Sequence, residues 1–408
     1  MACNTALIDG RSDRANRVMG MQLTKAIEQS IAVFGESGSG KTVLVSSFYG
    51  TTQEPDFLQT SLFDVTAASG QHNRLFQNYL GMKDYDRVPD TTRFDAAAYS
   101  FSIKMKADNP KSKGQPFDAL RLVWHDYPGQ WFEQDVSGEE EARRRVDTFR
   151  ALLGSDVALL LVDAQRLTDN EGQTAEYLKS LFGNFRNGLR DLKDDLLVNG
   201  EPLVEFPRIW VLALSKADLL PDMDVYAFRD LVVGNAGADL EELRRTMADM
   251  VQAPEALSVG DDFVLLSSAK FEPTKIEVQH QIGLDLILPL AAVLSFERHV
   301  RWNQAGILPG VVAERLLGAG AAGAKILAAV LLGKKMSLPG PAGLVQKLLG
   351  GLLAPDLIDQ AAEMGTQKLQ EINAAARANH ENLTATLTDF RMRLDGAEAA
   401  SVLFQSRK

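Results

Sequence analysis

The sequence predicts an α/β fold, a parallel or mixed sheet covered by helices on both faces, followed by an all-helical C-terminal extension. Three observations lead there. Between about Lys25 and Arg301, short apolar runs rich in β-branched residues alternate with longer stretches of helical periodicity. The first run leads straight into the glycine-rich segment Gly35–Thr42. After about Trp302 the composition shifts to Ala, Leu and Gly. The expected division is an N-terminal segment 1–24, an α/β domain 25–301 and a helical region 302–408.

Taken in order, Ser30–Phe34 reads as the first strand and Thr42–Phe48 as the start of a helix. The long stretch Gly50–Pro89 follows, and its Phe57, Leu62, Phe63, Leu75, Phe76 and Tyr79 can pack it against the sheet. Phe94–Met105 and Phe117–His125 read as a strand pair joined by the polar turn Ala107–Gln115. Asp156–Asp163 is a buried strand, Pro207–Leu214 another, and Phe263–Ser267 closes the set. Helical periodicity marks Ser137–Leu153, Glu171–Leu192 and Asp239–Val251, and Ser137 with Glu140 fits a capping box. Toward the C-terminus a Pro-Gly-Pro turn within Ser337–Gly343 precedes an apolar helix, Leu344–Leu353. A long three-four pattern then runs from Ile358 to Leu394, with Asn379 polar on its apolar seam. No repeat suggests a solenoid or propeller.

A chain of 408 residues with 45% hydrophobic content can bury a large core, and its length suggests two or three domains. Its 43 basic and 54 acidic residues give a net charge of -11, which argues against bulk nucleic-acid binding. The basic run Arg143–Arg145 is offset by Glu139–Glu141. Cys3 is the only cysteine, so neither an intramolecular disulfide nor a cysteine-based zinc site can form. The histidines lack ligand spacing, and Met1–Gly20 lacks the apolar core of a signal peptide. A reducing, cytoplasmic setting is expected.

Gly35-Glu36-Ser37-Gly38-Ser39-Gly40-Lys41-Thr42 matches the P-loop pattern. Glycines let the backbone curl so that successive N–H groups converge on one anion, and the helix beginning here adds its positive end, with Val43 in its first turn. Lys41 can reach terminal phosphates as a mobile charge, and Thr42 offers a hydroxyl to Mg²⁺. The same wording is common in ABC-type ATPases, so downstream segments must decide between them. Four follow the loop in order: Pro89-Asp90-Thr91-Thr92-Arg93, Asp126-Tyr127-Pro128-Gly129-Gln130, Ser215-Lys216-Ala217-Asp218 and Ser268-Ala269-Lys270.

In this order the segments resemble the motifs of the Ras-like, translation-factor-related (TRAFAC) class of P-loop GTPases, over about Lys25–Arg301. The likeness extends in particular to bacterial stand-alone TRAFAC-clade and double-GTPase proteins. The resemblance implies a Ras-like P-loop NTPase sheet with GTP or GDP at the strand C-termini and slow hydrolysis stimulated by a partner. It implies that Asp126 holds Mg²⁺ through water, that Thr42 and a switch threonine complete the metal site, and that the Gly129 N–H meets the γ-phosphate. Thr92 is favoured over Thr91 as that threonine. Gln130 stands where many relatives place the glutamine that orients the attacking water, so Lys41, Gly129 and Gln130 are the catalytic candidates. Asp218 would accept hydrogen bonds from guanine N1–H and its exocyclic amine, which adenine does not offer. The Lys216 stem would lie along the purine face. The loop Ser268, Ala269, Lys270 would bring a backbone N–H to guanine O6.

Two departures from the family pattern stand out. Ser215 replaces the usual Asn or Thr, and Ser37 occupies a position that is often glycine, where a side chain crowds an incoming arginine finger. Activation is therefore expected to differ from the Ras route, with Arg93 or one of Arg143–Arg145 as cis candidates. The ABC-type alternative needs a Leu-Ser-Gly-Gly-Gln type signature, which is absent, and an acidic residue after Asp163, where Ala164 stands. Asp163 remains the alternative metal carboxylate. For the tail three readings compete: a bundle packed on the α/β domain, a membrane-touching hairpin around Leu316–Leu332 as in dynamin-like GTPases, and a coiled-coil surface for self-association over Asp356–Leu394. The function classes are a switch that recruits an effector, a dynamin-like assembling GTPase, a nucleotide-binding scaffold and a P-loop ATPase.

Overall fold

Runs such as Val157–Asp163 and Ile209–Ser215 are apolar on both faces of the pleat, so they are stable only in the middle of a sheet covered on both sides. The computed structural model describes residues 27–89, 97–106, 119–126, 138–308 and 382–406, with a few isolated positions besides. The strands are β1 (Ile27–Phe34), β2 (Phe63–Ala67), β3 (Ala97–Met105), β4 (Ala119–Asp126), β5 (Val157–Asp163), β6 (Ile209–Ser215), β7 (Ser258–Leu266), the hairpin β8 (Lys270–Glu272) and β9 (Lys275–Glu277), and β10 (Leu403–Phe404). Eight of them form one mixed sheet in the order β10, β7, β6, β5, β1, β4, β3, β2. The central strands β4, β1, β5, β6 and β7 are parallel, while β3, β2 and β10 join antiparallel at the two edges.

Side chains alternate between two cores. Ile31, Val33, Leu159 and Leu161 face one, and Ala32, Phe34, Ala158 and Leu160 face the other. The first core is covered by α1 (Lys41–Thr51), by Leu75 of α3 (His72–Tyr85), and by the segment Leu284–Leu294, which includes a π-helical turn. Between α1 and α3 lies the short helix α2 (Pro55–Thr60). The second core is covered by α4 (Glu139–Leu153), α6 (Thr174–Leu196) and α7 (Val225–Ala248), with α5 (Ala164–Asp169) bridging β5 to α6. Each fully buried Leu or Phe here contributes about 1.5–3 kcal/mol. From the chain's end, α9 (Asn382–Ala399) lays Leu387, Phe390 and Leu394 on the first core, with the Phe390 ring 5.9 Å from Phe63.

Several expectations are corrected. The stretch after Gly50 carries a strand, β2, where only loop packing was expected, and its Phe63, Val65 and Ala67 are buried in alternation. The helix expected at Asp239 starts already at Val225, capped by Asp224, whose carboxylate accepts from the Ala227 N–H at 2.8 Å. Gly234 and Gly237 flank a non-helical Ala236 and break the pattern, but burial of Val225, Phe228 and Val232 holds the earlier half in place. α4 starts at Glu139 with Gly138 at its N-cap, and Ser137 of the expected capping box lies outside the described residues. Of the tail, Leu316–Leu332 and Leu344–Leu353 lie outside them too. Among the described residues no helix is long and apolar enough to cross a membrane.

β7 begins at Ser258, ahead of the expected Phe263, because the polar residues Asp261 and Asp262 lie inside the strand. Asp262 is tolerated there by the guanidinium of Arg298 on α8 (Ser295–Gln304), 2.8 Å away, with both side chains buried. Ser258 Oγ and the Ser406 N–H also donate to this carboxylate, so both of its oxygens are hydrogen-bonded. Arg298→Met is expected to cost about 3–5 kcal/mol in urea unfolding, because it strands a buried carboxylate. Adding Asp262→Leu should recover most of that loss.

Candidate functional site

The parallel strands end on one edge, which gathers the loops that follow β1, β4, β5, β6 and β7. β1 turns there through Gly35, where a Cβ would come within 2.6 Å of Ser39 Oγ and 2.9 Å of Leu161 Cβ, so only glycine fits. Gly38 and Gly40 adopt positive φ of 82° and 89°, which lets the loop close before α1 begins at Lys41. The buried Lys41 ammonium donates to the Gly35 and Glu36 carbonyls at 2.8 and 3.0 Å, folding the loop around itself. Thr42 and Val43 occupy the first turn of α1, with Thr42 half-buried.

Glu36 is unusual in such a loop. Its side chain is only 8% exposed, and its carboxylate sits 2.9 Å from the Arg166 guanidinium on α5. Arg166 also donates to the Ser37 carbonyl at 3.4 Å.

On the other side of β1, Asp126 ends β4 and is paired in register with Val33. It is buried, and among the described residues Oδ1 has no hydrogen-bond partner. Burial pushes its carboxyl up to about 6, against the opposing pull of Lys41 and Arg74. Asp163, the competing carboxylate at the end of β5, is already engaged: Oδ1 accepts from the Gln165 N–H at 3.0 Å and Oδ2 pairs with Lys216 Nζ at 2.8 Å.

The third loop follows β6. Ser215 is buried, its Oγ donating to the Val162 carbonyl, and Lys216 takes a left-handed φ of 56° that swings the chain into a short 3₁₀ turn. Asp218 on that turn accepts from Ser267 Oγ at 2.5 Å and from the Phe271 N–H at 3.0 Å, one bond to each oxygen. A carboxylate oxygen accepts two bonds, so each retains a free direction. Ser268 and Ala269 are buried behind it, whereas Lys270 points out from β8, half-exposed and 2.8 Å from Glu272.

A cavity of about 260 Å³ lies between the glycine loop and the loop after β6, and Asp126 is not among the residues that line it. Gly38, Ser39, Gly40 and Val43 line one end, and Ser215, Lys216, Asp218 and Ser268 the other. Val88, Leu219 and Phe271 give it apolar walls, and Gln165 reaches it from α5. Among the described residues no group of three or more His, Cys, Asp or Glu side chains is gathered in the manner of a protein-only metal site. Thr91, Thr92, Arg93, Gly129 and Gln130 lie outside the described residues.

Sequence reasoning passed over Arg166, Gln165, Val88 and Phe271. The signal for the first two was their place just after a buried strand, at the edge where ligands gather in open α/β sheets. The cis-arginine candidates divide: Arg143 and Arg144 are exposed, but Arg145 is buried, pairs with Glu141 and donates to the Trp131 carbonyl at 2.9 Å. It is neither a solvated residue nor one poised over the loop.

No family model matches the chain, and no curated protein does. Among solved structures it is similar to a nucleolar GTP-binding protein 1 of Plasmodium falciparum, with 12% identity over 67% of this chain and 89% of that one, at a TM-score of 0.28. It is similar also to a signal recognition particle receptor complex with GTP from Chaetomium thermophilum, with 16% identity over 60% of this chain and 91% of that one, at a TM-score of 0.30. A third is the GTP-bound Ski7 GTPase-like domain of S. cerevisiae, with 14% identity over 64% of this chain and 45% of that one, at a TM-score of 0.29. Likenesses of this size leave the functional reading to the site itself.

Proposed function

We propose that this chain binds a guanine nucleotide with magnesium and hydrolyses GTP as a molecular switch, with residues 25–301 as the nucleotide domain, against whose core α9 packs. The observation that carries the reading is a cavity lined both by the glycine loop and by Asp218. Phosphate oxygens fit the loop, where N–H groups and Lys41 concentrate positive charge. The base fits the opposite end, where Asp218 is held by Ser267 and Phe271 with acceptor capacity to spare. Guanine presents two donors to the remaining acceptor directions of such a carboxylate, and adenine leaves those directions unfilled.

Asp126 supports the magnesium reading. A buried carboxylate oxygen without a hydrogen-bond partner among the described residues suits a hydrated cation, and Thr42 lies in the first turn of α1. Thr92 would complete the set. Bound magnesium would neutralise charge building on the phosphates. In this proposal Gln130 orients water and the Gly129 N–H senses the γ-phosphate, so that an effector reads the segments around Thr92 and Gln130.

Three outcomes test the proposal. Asp218→Asn should weaken GTP at least about tenfold, the loss of a charged hydrogen bond, and leave ATP unchanged in calorimetric titration; equal losses for both would end the guanine assignment. Gln130→Ala should lower GTP turnover about a hundredfold with little change in affinity, and unaltered turnover would leave a binding scaffold. Asp126 ionises near 6 when folded and near 3.8 when unfolded, so its contribution to stability is present below about pH 4 and lost as pH rises through 6. Asp126→Asn should therefore stabilise the nucleotide-free protein at pH 8 by about 1–3 kcal/mol, with no gain near pH 4, while removing the magnesium dependence of GTP binding.

A further inference from the structure

The first turn of α5 with its cap, Asp163-Ala164-Gln165-Arg166, was legible in the sequence only as the place of an alternative metal carboxylate, yet it touches both the glycine loop and the loop after β6. Its first residue pairs with Lys216 at 2.8 Å, beside Asp218. Its last pairs with Glu36 at 2.9 Å, inside the glycine loop. Between them, Gln165 lines the cavity wall. Asp163 is fixed in place, because its Oδ1 caps α5 and its own N–H donates to the buried Tyr177 hydroxyl at 2.9 Å.

The charges explain why both pairs matter. Glu36 places a buried carboxylate within a loop whose geometry is suited to anions, and an uncompensated negative charge there would oppose every phosphate that enters. The Arg166 guanidinium cancels that charge from outside the loop and ties down the next carbonyl, that of Ser37. Lys216 carries a long flexible stem, and the Asp163 carboxylate selects one of its rotamers, the one that holds the stem against the cavity.

We propose that the Asp163–Arg166 turn is a further part of the nucleotide site, in which Arg166 is a positioning residue that neutralises Glu36 and Asp163 is a positioning residue that aims Lys216. This rests on the reading of the cavity as a guanine-nucleotide site. The two residues act on different parts of the ligand. Arg166 acts on the phosphates, so its effect grows with their number. Asp163 acts on the base and its sugar, so its effect is the same for each nucleotide.

The full chain is titrated with GMP, GDP and GTP in the presence of magnesium. Arg166→Gln should weaken GTP by about tenfold and GMP by clearly less. Adding Glu36→Gln to that variant should restore GTP affinity, because the charge that needed cancelling is gone; a mere folding defect would not be repaired this way. Asp163→Asn keeps the cap on α5 and should weaken all three nucleotides by one common factor. Wild-type affinity in Arg166→Gln, equal losses for GMP and GTP, or no rescue by Glu36→Gln would overturn the assignment of Arg166. A phosphate-dependent loss in Asp163→Asn, or none, would overturn that of Asp163. Failure of the unsubstituted chain to bind any guanine nucleotide would instead remove the functional reading on which both depend.

Discussion

Everything at the site depends on the parallel ladder through β1. Its register sets Val33 beside Asp126 on one side and Phe34 beside Leu160 on the other, and the ladder continues to place Asp163 beside Ser215 and Ser215 beside Leu266. These pairings bring the residues that carry chemistry to the same sheet edge without any direct bond between most of them. A slip of one residue in β1 would send Ile31 and Val33 into the wrong core and tilt the glycine loop away from its neighbours. Burial on both faces prevents that slip, so the apolar layers that stabilise the domain are also what aim the loop.

The charges near that edge sort into two kinds. Glu36 with Arg166 and Asp163 with Lys216 are paired, and their pairing shapes loops. Asp126 is buried beside them with an oxygen left without a partner among the described residues, at a cost in stability above pH 6. In the proposed function that oxygen is where the magnesium ion would bind. The Asp262–Arg298 pair shows the contrast: it is fully buried with both carboxylate oxygens hydrogen-bonded, joining β7, α8 and the chain's end.

The sequence made the central strands and the glycine loop legible because both are written in local spacing: continuous apolar runs, and glycines at fixed intervals before Lys41. Asp126 and Ser215–Asp218 could be found because they end such runs. β2 escaped notice because its five residues sit among helical signals, and β10 because two residues carry no pattern and are fixed only by pairing with Phe263 and Val264. Arg166 could not be assigned a partner from sequence, since the carbonyl it meets at Ser37 is 129 positions away. Val88 likewise lines the cavity beside Asp218 and Phe271, residues far from it in sequence. Local chemistry was readable, and juxtaposition across the sheet edge was not.

The central claim is that the Asp218 end of the cavity recognises guanine by its two donors. Calorimetric titration of the magnesium-loaded chain with GTP, inosine triphosphate and ATP tests it directly, because inosine retains N1–H and lacks the exocyclic amine. The account predicts that GTP binds tightest, that inosine triphosphate is weaker by about tenfold or more for the lost charged hydrogen bond, and that ATP is weakest. ATP binding as tightly as GTP would contradict it.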